Sequence, residues 1–294
     1  MDELTALMSF LRKQPSLGDT SLADRRAAYD RAEKAFSLPA GMASSLWAAN
    51  GLPGERLAAR DAASGRTVLY LHGGGYGIGS PRSHRHLAAA IAHAAHADAL
   101  LPDYRLAPEH PFPAALDDAV TAYRHVLQHA PAAQVAVVGD SAGGGLTIAT
   151  LLAARDAGLA MPAAAVCLSP WVDLTNSSPS LPTDPEMADP LVKADEIAAF
   201  ASAYLGPTAA THPLASPLFA DLRGLPPLLI HASNAEALAS DSQRLAAAAH
   251  KAGVAVTLEM TDGVPHVWHW FWPRLGLARD AIARVGTFLD QRLG

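Results

Sequence analysis

A serine stands at the centre of a pentapeptide, GDSAG at residues 139–143, with glycines two positions before and after it. The apolar run QVAVV precedes this motif and the run AGGGLTIATLLAA follows it, a pattern typical of a strand, a tight turn and a helix. Small flanking residues let the backbone approach closely, and a helix N-terminus favours negative charge nearby. The sequence therefore predicts that Ser141 is a nucleophile for acyl transfer; a glycine-rich turn with an idle serine is the less favoured interpretation.

Three consecutive glycines follow another apolar run, in the motif HGGG at residues 72–75. Glycines leave backbone N–H groups unobstructed, and donors aimed at the oxyanion of acyl transfer contribute about 3–4 kcal/mol each. We expect the amides of Gly73 and Gly74, with that of Ala142, to form this oxyanion hole. A phosphate-binding loop would require a Lys-Ser or Lys-Thr pair after the glycines, and YGI follows instead.

A general base and an acid are expected later in the chain, because nucleophiles of this type are followed by the acid and then by the histidine. His266 lies just past the last apolar run, after Gly-Val-Pro, whereas His269 lies among aromatic residues and is interpreted as a packing residue. The acid is expected after residues 227–231, where Glu236 lies nearest and Asp241 is the alternative. Either carboxylate would orient the imidazole and stabilise its cation.

Metal and disulfide chemistry find little support in the sequence. Four histidines fall on one predicted helix, but their spacing is not HExxH and no carboxylates accompany them; they are His84, His86, His93 and His96. The single cysteine, Cys167, excludes an internal disulfide and lies in an apolar run typical of a core residue. We expect no metal ion and no organic cofactor.

Six short apolar runs alternate with helical patterns and are expected to position these side chains. The predicted strands are residues 66–71, 97–101, 134–138, 163–168, 227–231 and 254–260. The predicted helices are residues 83–96, 113–129, 142–156, 238–251 and 274–293. Apolar strands without alternation, separated by helices, are typical of a parallel sheet covered on both faces, so the predicted fold class is α/β and doubly wound.

Two segments do not fit this alternation. Residues 1–45 have a helical pattern and precede the first predicted strand. Residues 172–222 are rich in Pro, Ser, Thr and Asp, with one predicted helix near residues 193–205. Long insertions between strands are usually functional, often as lids. We therefore expect both segments to form a helical cap, and residues 46–171 and 223–294 to form the catalytic domain.

The overall composition favours a small neutral ligand. A chain of 294 residues can bury one large core. Its net charge of −6 and the lack of a basic run do not favour nucleic-acid binding. No run approaches the roughly 18 apolar residues that span a membrane. The first residues, MDELTALMSFLRKQP, carry their acidic and basic groups in the wrong order for a signal peptide. A soluble, cytoplasmic protein is expected.

Several motifs in a fixed order identify a family resemblance: HGGGYGIGS, DYRLAPEHPFPAALDDA, GDSAGGGL, LSPWVDLT and GVPHVWH. From about Trp47 to its C-terminus the chain resembles the hormone-sensitive-lipase-like α/β-hydrolases, the bacterial family IV esterases. The resemblance implies an eight-stranded, mostly parallel sheet flanked by helices, with a helical cap, and a triad of Ser141, Glu236 and His266. Many members carry a D-P-L-x-D segment where this chain has EALAS from Glu236 onward, so the second carboxylate is missing.

The resemblance also implies a function, because members of this family are serine carboxylesterases. We therefore expect the protein to hydrolyse short-chain acyl esters through an acyl-enzyme. A lactonase, an amidase or a specific deacetylase would use the same machinery, and these alternatives stay open. A non-catalytic ligand-binding protein, such as the plant gibberellin receptors that lose the catalytic histidine, is less favoured because His266 is present.

The remaining expectations concern the substrate and the assembly. Tyr76 and Trp268 are expected to bind the small-molecule ester substrate. Relatives often dimerise through the edge strand and the last helix, which correspond here to residues 254–260 and 274–293. The resemblance therefore raises the possibility of a homodimer.

Overall fold

The computed structural model describes residues 2–14, 20–60, 62, 65–177, 180 and 189–294. Its strands are β1 (Met42–Ala49), β2 (Leu52–Ala59), β3 (Thr67–Leu71), β4 (Asp98–Pro102), β5 (Val135–Asp140), β6 (Ala164–Leu168), β7 (Leu228–Ser233) and β8 (Val256–Thr261). They form one sheet in the order β1-β2-β4-β3-β5-β6-β7-β8. The pairs from β4 to β8 are parallel, and β2 is antiparallel to both β1 and β4. The predicted eight-stranded, mostly parallel sheet is confirmed.

Helices cover both faces of this sheet. The described helices are α1 (Glu3–Arg12), α2 (Leu22–Asp30), α3 (Ala32–Ala35), α4 (Pro81–Ala94), α5 (Ala114–His129), α6 (Ala142–Asp156), α7 (Ala194–Leu205), α8 (Ala239–Lys251) and α9 (Gly276–Asp290). Apolar residues of α5, α6 and α8 join one core cluster, and those of α4 and α9 join another. Because β5, β6 and β7 lie between these clusters, all their residues are buried, which is why they read as continuous apolar runs.

The structure differs from the sequence prediction at its N-terminal side. Residues 1–45 contain α1, α2 and α3, but β1 begins within this range and pairs with β2 in a hairpin. Neither strand was predicted. β1 lies at the sheet edge with most of its residues exposed, so it lacks the buried apolar run that marks the other strands.

Parts of the predicted cap contact each other and the loop after β3. Arg25 of α2 lies 4.0 Å from Glu196 of α7, and Arg26 donates to the carbonyl oxygen of Gly77 at 2.9 Å. A Cβ at Gly77 would meet the ring of Phe200, so α7 packs on the same loop. Of the predicted cap, residues 1, 15–19, 178–179 and 181–188 lie outside the described residues.

Candidate active site

The carboxyl ends of β3 and β5 lie side by side where the strand order reverses. The chain passes from β3 to β4 on one side and then returns to β5 on the other side. Ligands of open α/β sheets bind in the crevice at such a point. The HGGG motif follows β3 and Ser141 follows β5, so the two motifs predicted to act on one carbonyl group share the same sheet edge.

Ser141 occupies a strained turn between β5 and α6. Its backbone has φ 52° and ψ −121°, a conformation that L-residues rarely adopt. Its N–H donates to the carbonyl oxygen of Leu168 at 2.8 Å, and its own carbonyl oxygen accepts from the N–H of Trp171 at 2.9 Å. The last residue of β6 and the segment after β6 thus hold the turn from both ends, and the serine remains only partly buried.

Packing requires the glycines on either side of Ser141. A Cβ at Gly139 would overlap the carbonyl group of Gly143. A Cβ at Gly143 would overlap the carbonyl oxygens of Leu71 and His72. These are backbone atoms, which cannot be moved aside by a side-chain rotation, so the GxSxG pattern reflects two close approaches of backbone to backbone.

Glu236 and His266 are in hydrogen-bond contact. Glu236 follows β7 and His266 follows β8, and 3.2 Å separates the Oε2 atom of the first from the Nδ1 atom of the second. The two residues are only 2% and 7% exposed. Because an ionised carboxylate can only accept hydrogen bonds, Nδ1 carries the imidazole proton and Nε2 presents its lone pair.

The Nε2 atom of His266 is buried and has no hydrogen-bond partner among the described residues, Ser141 included. The turn of Ser141 and the loop of His266 nevertheless form hydrogen bonds with two consecutive residues, Leu168 and Ser169. Leu168 accepts from the N–H of Ser141, and the hydroxyl of Ser169 accepts from the N–H of Val267 at 3.2 Å. Catalytic hydrogen bonds are often long before substrate binds, so Nε2 is the atom available to accept a proton.

The pKa of His266 is raised above its ordinary value of 6.5. Burial alone would lower this pKa, but the hydrogen bond and charge of Glu236, followed by the charges of Asp189 and Asp140, raise it. Asp189 belongs to the inserted segment, and its carboxylate accepts from the N–H of Ala237, next to Glu236, at 3.2 Å. The surroundings therefore stabilise the imidazolium that forms when His266 takes up a proton.

One of the predicted oxyanion donors has a partner inside the protein. The N–H of Gly73 donates to Oδ1 of Asp140 at 3.0 Å, and a Cβ at Gly73 would overlap that carboxylate. A donor engaged with a carboxylate is not available to a substrate oxygen, which is at odds with the role predicted for Gly73. By contrast, the N–H groups of Gly74, Gly75 and Ala142 donate to no described residue.

Asp140 links the serine turn to the HGGG motif through a buried polar cluster. Besides the amide of Gly73, its carboxylate accepts from the hydroxyl of Tyr70 at 2.7 Å and lies 3.4 Å from Nε2 of His84. Burial alone would raise the pKa of Asp140, but the nearby His84 and the Tyr70 hydroxyl bring it below its ordinary value. The carboxylate therefore stays charged and is a strong acceptor for the glycine amide.

The alternative acid, Asp241, has a different environment. Its Oδ2 atom accepts from the N–H groups of Val172 and Asp173 at 3.0 and 3.1 Å, and no contact with His266 is among its interactions. Burial, with a smaller contribution from the charge of Asp173, raises the pKa of Asp241 to about 6. Asp241 therefore anchors the segment after β6, and Glu236 is the carboxylate that reaches the imidazole.

The side chains of Tyr76, Trp268 and His269 are buried in packing contacts. Tyr76 is 1% exposed and stacks on Tyr204 of α7, with ring centroids 3.7 Å apart. Trp268 is fully buried, and its ring lies 4.0 Å from that of His269. His269 in turn bonds the ring of His231 at 3.0 Å, as expected of a packing residue. Substrate contact by Tyr76 and Trp268 stays a prediction.

The histidines of α4 have partners within the protein. Nδ1 of His84 bonds the hydroxyl of Ser83 at 2.8 Å, and Nε2 of His86 bonds the carbonyl oxygen of Trp270 at 3.0 Å. Within the described ranges, no group of three or more His, Cys, Asp or Glu side chains could hold a metal ion. The described helices likewise include none with the length and apolar character needed to cross a bilayer.

A groove of about 220 Å³ opens beside the HGGG motif, between the two predicted cap segments. It is lined mainly by apolar residues of α2, α7 and the loops after β3 and β4: Leu22, Gly77, Ala107, Pro108, Ala199 and Phe200. Arg25 and Glu196 form its charged side. A Cβ at Gly75 would meet the ring of Phe200, so this ring separates the groove from the glycine backbone.

Two residues of the site were missed by the sequence prediction. Ser169 donates to Oε2 of Glu236 at 2.6 Å, and Asp189 lies close enough to His266 to influence its pKa. Ser169 lies in the motif LSPWVDLT, directly after a predicted strand, which was the available signal. For Asp189 the sequence offers no comparable signal, because the inserted segment has no regular pattern.

Comparisons with known proteins show the family to which the chain is similar. A family model described as the alpha/beta hydrolase fold matches residues 68–270. The chain is 46% identical over 280 residues to an acetyl-hydrolase of Streptomyces hygroscopicus, covering 92% of this chain and 90% of that protein.

Solved structures match over nearly the whole chain. An esterase of the bacterial hormone-sensitive lipase family superposes with a TM-score of 0.94 at 42% identity, covering 99% of this chain and 98% of that one. The esterase EstE5 soaked with p-nitrophenyl butyrate superposes with a TM-score of 0.94 at 43% identity, covering 100% and 99% of the two chains. This chain therefore belongs to the hormone-sensitive-lipase-like family of α/β-hydrolases, and it is a carboxylic ester hydrolase.

Proposed function

We propose that the chain is a serine carboxylesterase in which Ser141 is the nucleophile, His266 the general base and Glu236 the acid. The observation that carries this proposal is the contact between Glu236 and Nδ1 of His266, which leaves Nε2 unpartnered. In the acylation step His266 Nε2 accepts the hydroxyl proton as Ser141 Oγ bonds to the ester carbonyl carbon. His266 then donates this proton to the leaving alcohol as the ester C–O bond breaks.

Deacylation follows the same path with water in place of the alcohol. His266 takes a proton from the water, whose oxygen attacks the acyl-enzyme, and returns it to Ser141 Oγ as the carboxylic acid leaves. Glu236 remains ionised throughout and stabilises the imidazolium in both steps. The reaction consumes one water and one ester and requires no cofactor.

We propose that the oxyanion hole consists of the amides of Gly74, Gly75 and Ala142. Gly75 takes the place first assigned to Gly73, because the Gly73 amide is engaged by Asp140. The charged Asp140 acceptor fixes the start of the loop, and the positive φ values of Gly74 and Gly75, 110° and 62°, turn the following backbone. Such preorganised donors stabilise the transition state without reorganising during the reaction.

The acyl group of the substrate is proposed to be short. None of Ser141, Gly74, Gly75 and His266 lines the groove of about 220 Å³ beside the HGGG motif, so the volume of that groove does not measure the acyl site. The Phe200 ring packs instead against Gly75 and Gly77 and narrows the space over the loop that carries the proposed oxyanion donors. The similarity to an acetyl-hydrolase and to an esterase soaked with a butyrate ester supports the same substrate class.

A series of p-nitrophenyl esters tests this substrate class. We expect kcat/KM to be highest for the acetate or butyrate ester and to fall for the octanoate and palmitate esters. Phe200→Ala should move the optimum toward longer chains, because it removes the ring that packs on the glycine loop. A palmitate optimum in the unmodified protein would contradict the proposed class, and an unchanged profile in the variant would contradict the role of Phe200.

The pH dependence of hydrolysis should reflect the raised pKa of His266. Activity requires a neutral imidazole, so it should fall as the pH decreases through this pKa. Because burial alone would lower the pKa whereas Glu236 raises it above 6.5, the acidic limb of kcat/KM should have its midpoint above 6.5. A pH–rate profile measures this midpoint, and a value below 6.5 would show that burial outweighs the carboxylate.

A further inference from the structure

Ser169 contacts the loops of both the acid and the base. It directly follows β6 and is fully buried. Its hydroxyl donates to Oε2 of Glu236 at 2.6 Å and accepts from the N–H of Val267, the residue after His266, at 3.2 Å. The preceding residue, Leu168, accepts from the N–H of Ser141. Two consecutive residues at the end of β6 therefore bind all three loops of the triad.

The hydroxyl of Ser169 fixes the rotation of the Glu236 carboxylate. Oε2 receives hydrogen bonds from both Ser169 and His266, whereas Oε1 is buried without a described partner. Without the hydroxyl, only the imidazole itself would hold Oε2 in place. The Ser169 hydroxyl therefore keeps the oxygen that contacts His266 directed at the imidazole.

The backbone on both sides of the Ser169–Val267 hydrogen bond is strained. Ser169 has φ 49° and Val267 has φ 46°, the left-handed region that favours glycine. Such strain persists only where surrounding contacts enforce it, and it often occurs at functional sites. A glycine at position 169 would relieve the strain but would lack the hydroxyl that both loops use.

We propose that Ser169 is a positioning residue for ester hydrolysis, which holds Oε2 of Glu236 against His266 and, through Val267, holds the loop that carries the base. The proposal rests on the triad of the proposed function. Ser169 does not contact the ester; it acts through Glu236 and His266.

The effect of losing this hydroxyl should be visible in the titration of His266. The charged or titratable groups that face His266 are Glu236, Asp189, Asp140 and His269. Burial favours the neutral imidazole, and Glu236 opposes it most strongly. When the carboxylate is free to rotate away, this opposition weakens and the pKa of His266 falls.

The test compares Ser169→Ala and Ser169→Gly with the unmodified protein. We expect both variants to lower kcat for p-nitrophenyl butyrate by about 10–100-fold, the factor expected for losing one hydrogen bond to a charged group, with KM within about twofold because no substrate contact is lost. NMR titration of the His266 ring, identified by its absence in His266→Gln, should shift to lower pH in both. The glycine variant separates the hydroxyl from backbone strain.

Ser233→Ala is the matched control. Ser233 is also fully buried, at the end of β7. Its hydroxyl donates to the carbonyl oxygen of Val264 at 2.6 Å and accepts from the N–H of Ala235 at 3.0 Å. It joins the same two loops through backbone atoms alone, so its loss should lower Tm without shifting the titration of His266.

The outcomes separate the two proposals. An unchanged kcat in the Ser169 variants would overturn the positioning role. A loss of kcat without a shift in the pKa of His266 would also overturn it. Absence of turnover in the unmodified protein would overturn the proposed triad instead. In that case the NMR titration still decides whether Ser169 controls the Glu236–His266 contact, because it requires no reaction.

Discussion

Replacing Ser141 by alanine is expected to lower kcat for p-nitrophenyl butyrate by a factor on the order of 10⁶, the loss seen when the nucleophile of a serine triad is removed. The hydroxyl is the atom that bonds to the acyl carbon, so no acyl-enzyme can form without it. The fold should persist. Serine and alanine experience similar strain at φ 52°, and the hydrogen bonds that hold the turn come from the backbone of residue 141.

Two measurements complete this experiment. The Tm of Ser141→Ala should remain within a few degrees of the unmodified protein, and a fluorophosphonate probe should label the unmodified protein but not the variant. Ser45→Ala, at an exposed position of the edge strand β1, is the control and should hydrolyse and label normally. Undiminished turnover in a folded Ser141→Ala variant would refute the nucleophile assignment, and absence of both turnover and labelling in the unmodified protein would favour a ligand-binding protein.

Glu236→Gln is expected to lower kcat by a factor on the order of 10⁴, as for the loss of the acid from other serine triads. The amide removes the negative charge that stabilises the imidazolium. It can also turn its NH₂ group toward Nδ1 of His266, which would move the imidazole proton to Nε2 and block proton acceptance there. The acidic limb of the pH profile should move to lower pH, because the main group raising the pKa of His266 is lost.

Asp241→Asn is the matched control, since it changes the competing carboxylate in the same way. Asparagine removes the charge of Asp241 but keeps a side-chain oxygen that can accept from the N–H groups of Val172 and Asp173. We expect kcat within a few-fold of the unmodified value. If Asp241→Asn lost activity while Glu236→Gln retained it, the assignment of the acid would be reversed.

The buried strands were predictable because strands covered on both faces consist of continuous apolar runs. The end of β6 was predicted at Leu168, where the structure has it, and α6 was predicted with both its ends correct. The hairpin of β1 and β2 was missed because its stability comes from pairing with β4 rather than from its own apolar pattern. A signal was present nonetheless: Asn50-Gly51 joins the two strands with φ values of 51° and 90°, the pair typical of a two-residue hairpin turn.

The site was predictable where chemistry depends on local sequence, and not where it depends on distant partners. The turn around Ser141 follows from its two glycines, which meet nearby backbone. The engagement of the Gly73 N–H could not be foreseen, because the direction of this N–H depends on Asp140, 67 positions away in the chain. The burial of Tyr76 and Trp268 likewise depends on distant partners, and substrate binding by these two residues stays a prediction.

The hydrogen bond between Gly73 and Asp140 has a consequence for protein engineering. Transplanting residues 72–79 into another scaffold would move the glycines without the carboxylate that orients them. A functional graft would also have to carry Tyr70, His84 and Asp140, which form the cluster around that carboxylate. For directed evolution, the smallest transferable module at this edge of the sheet is thus not a loop but a loop together with the ends of two strands and the start of a helix.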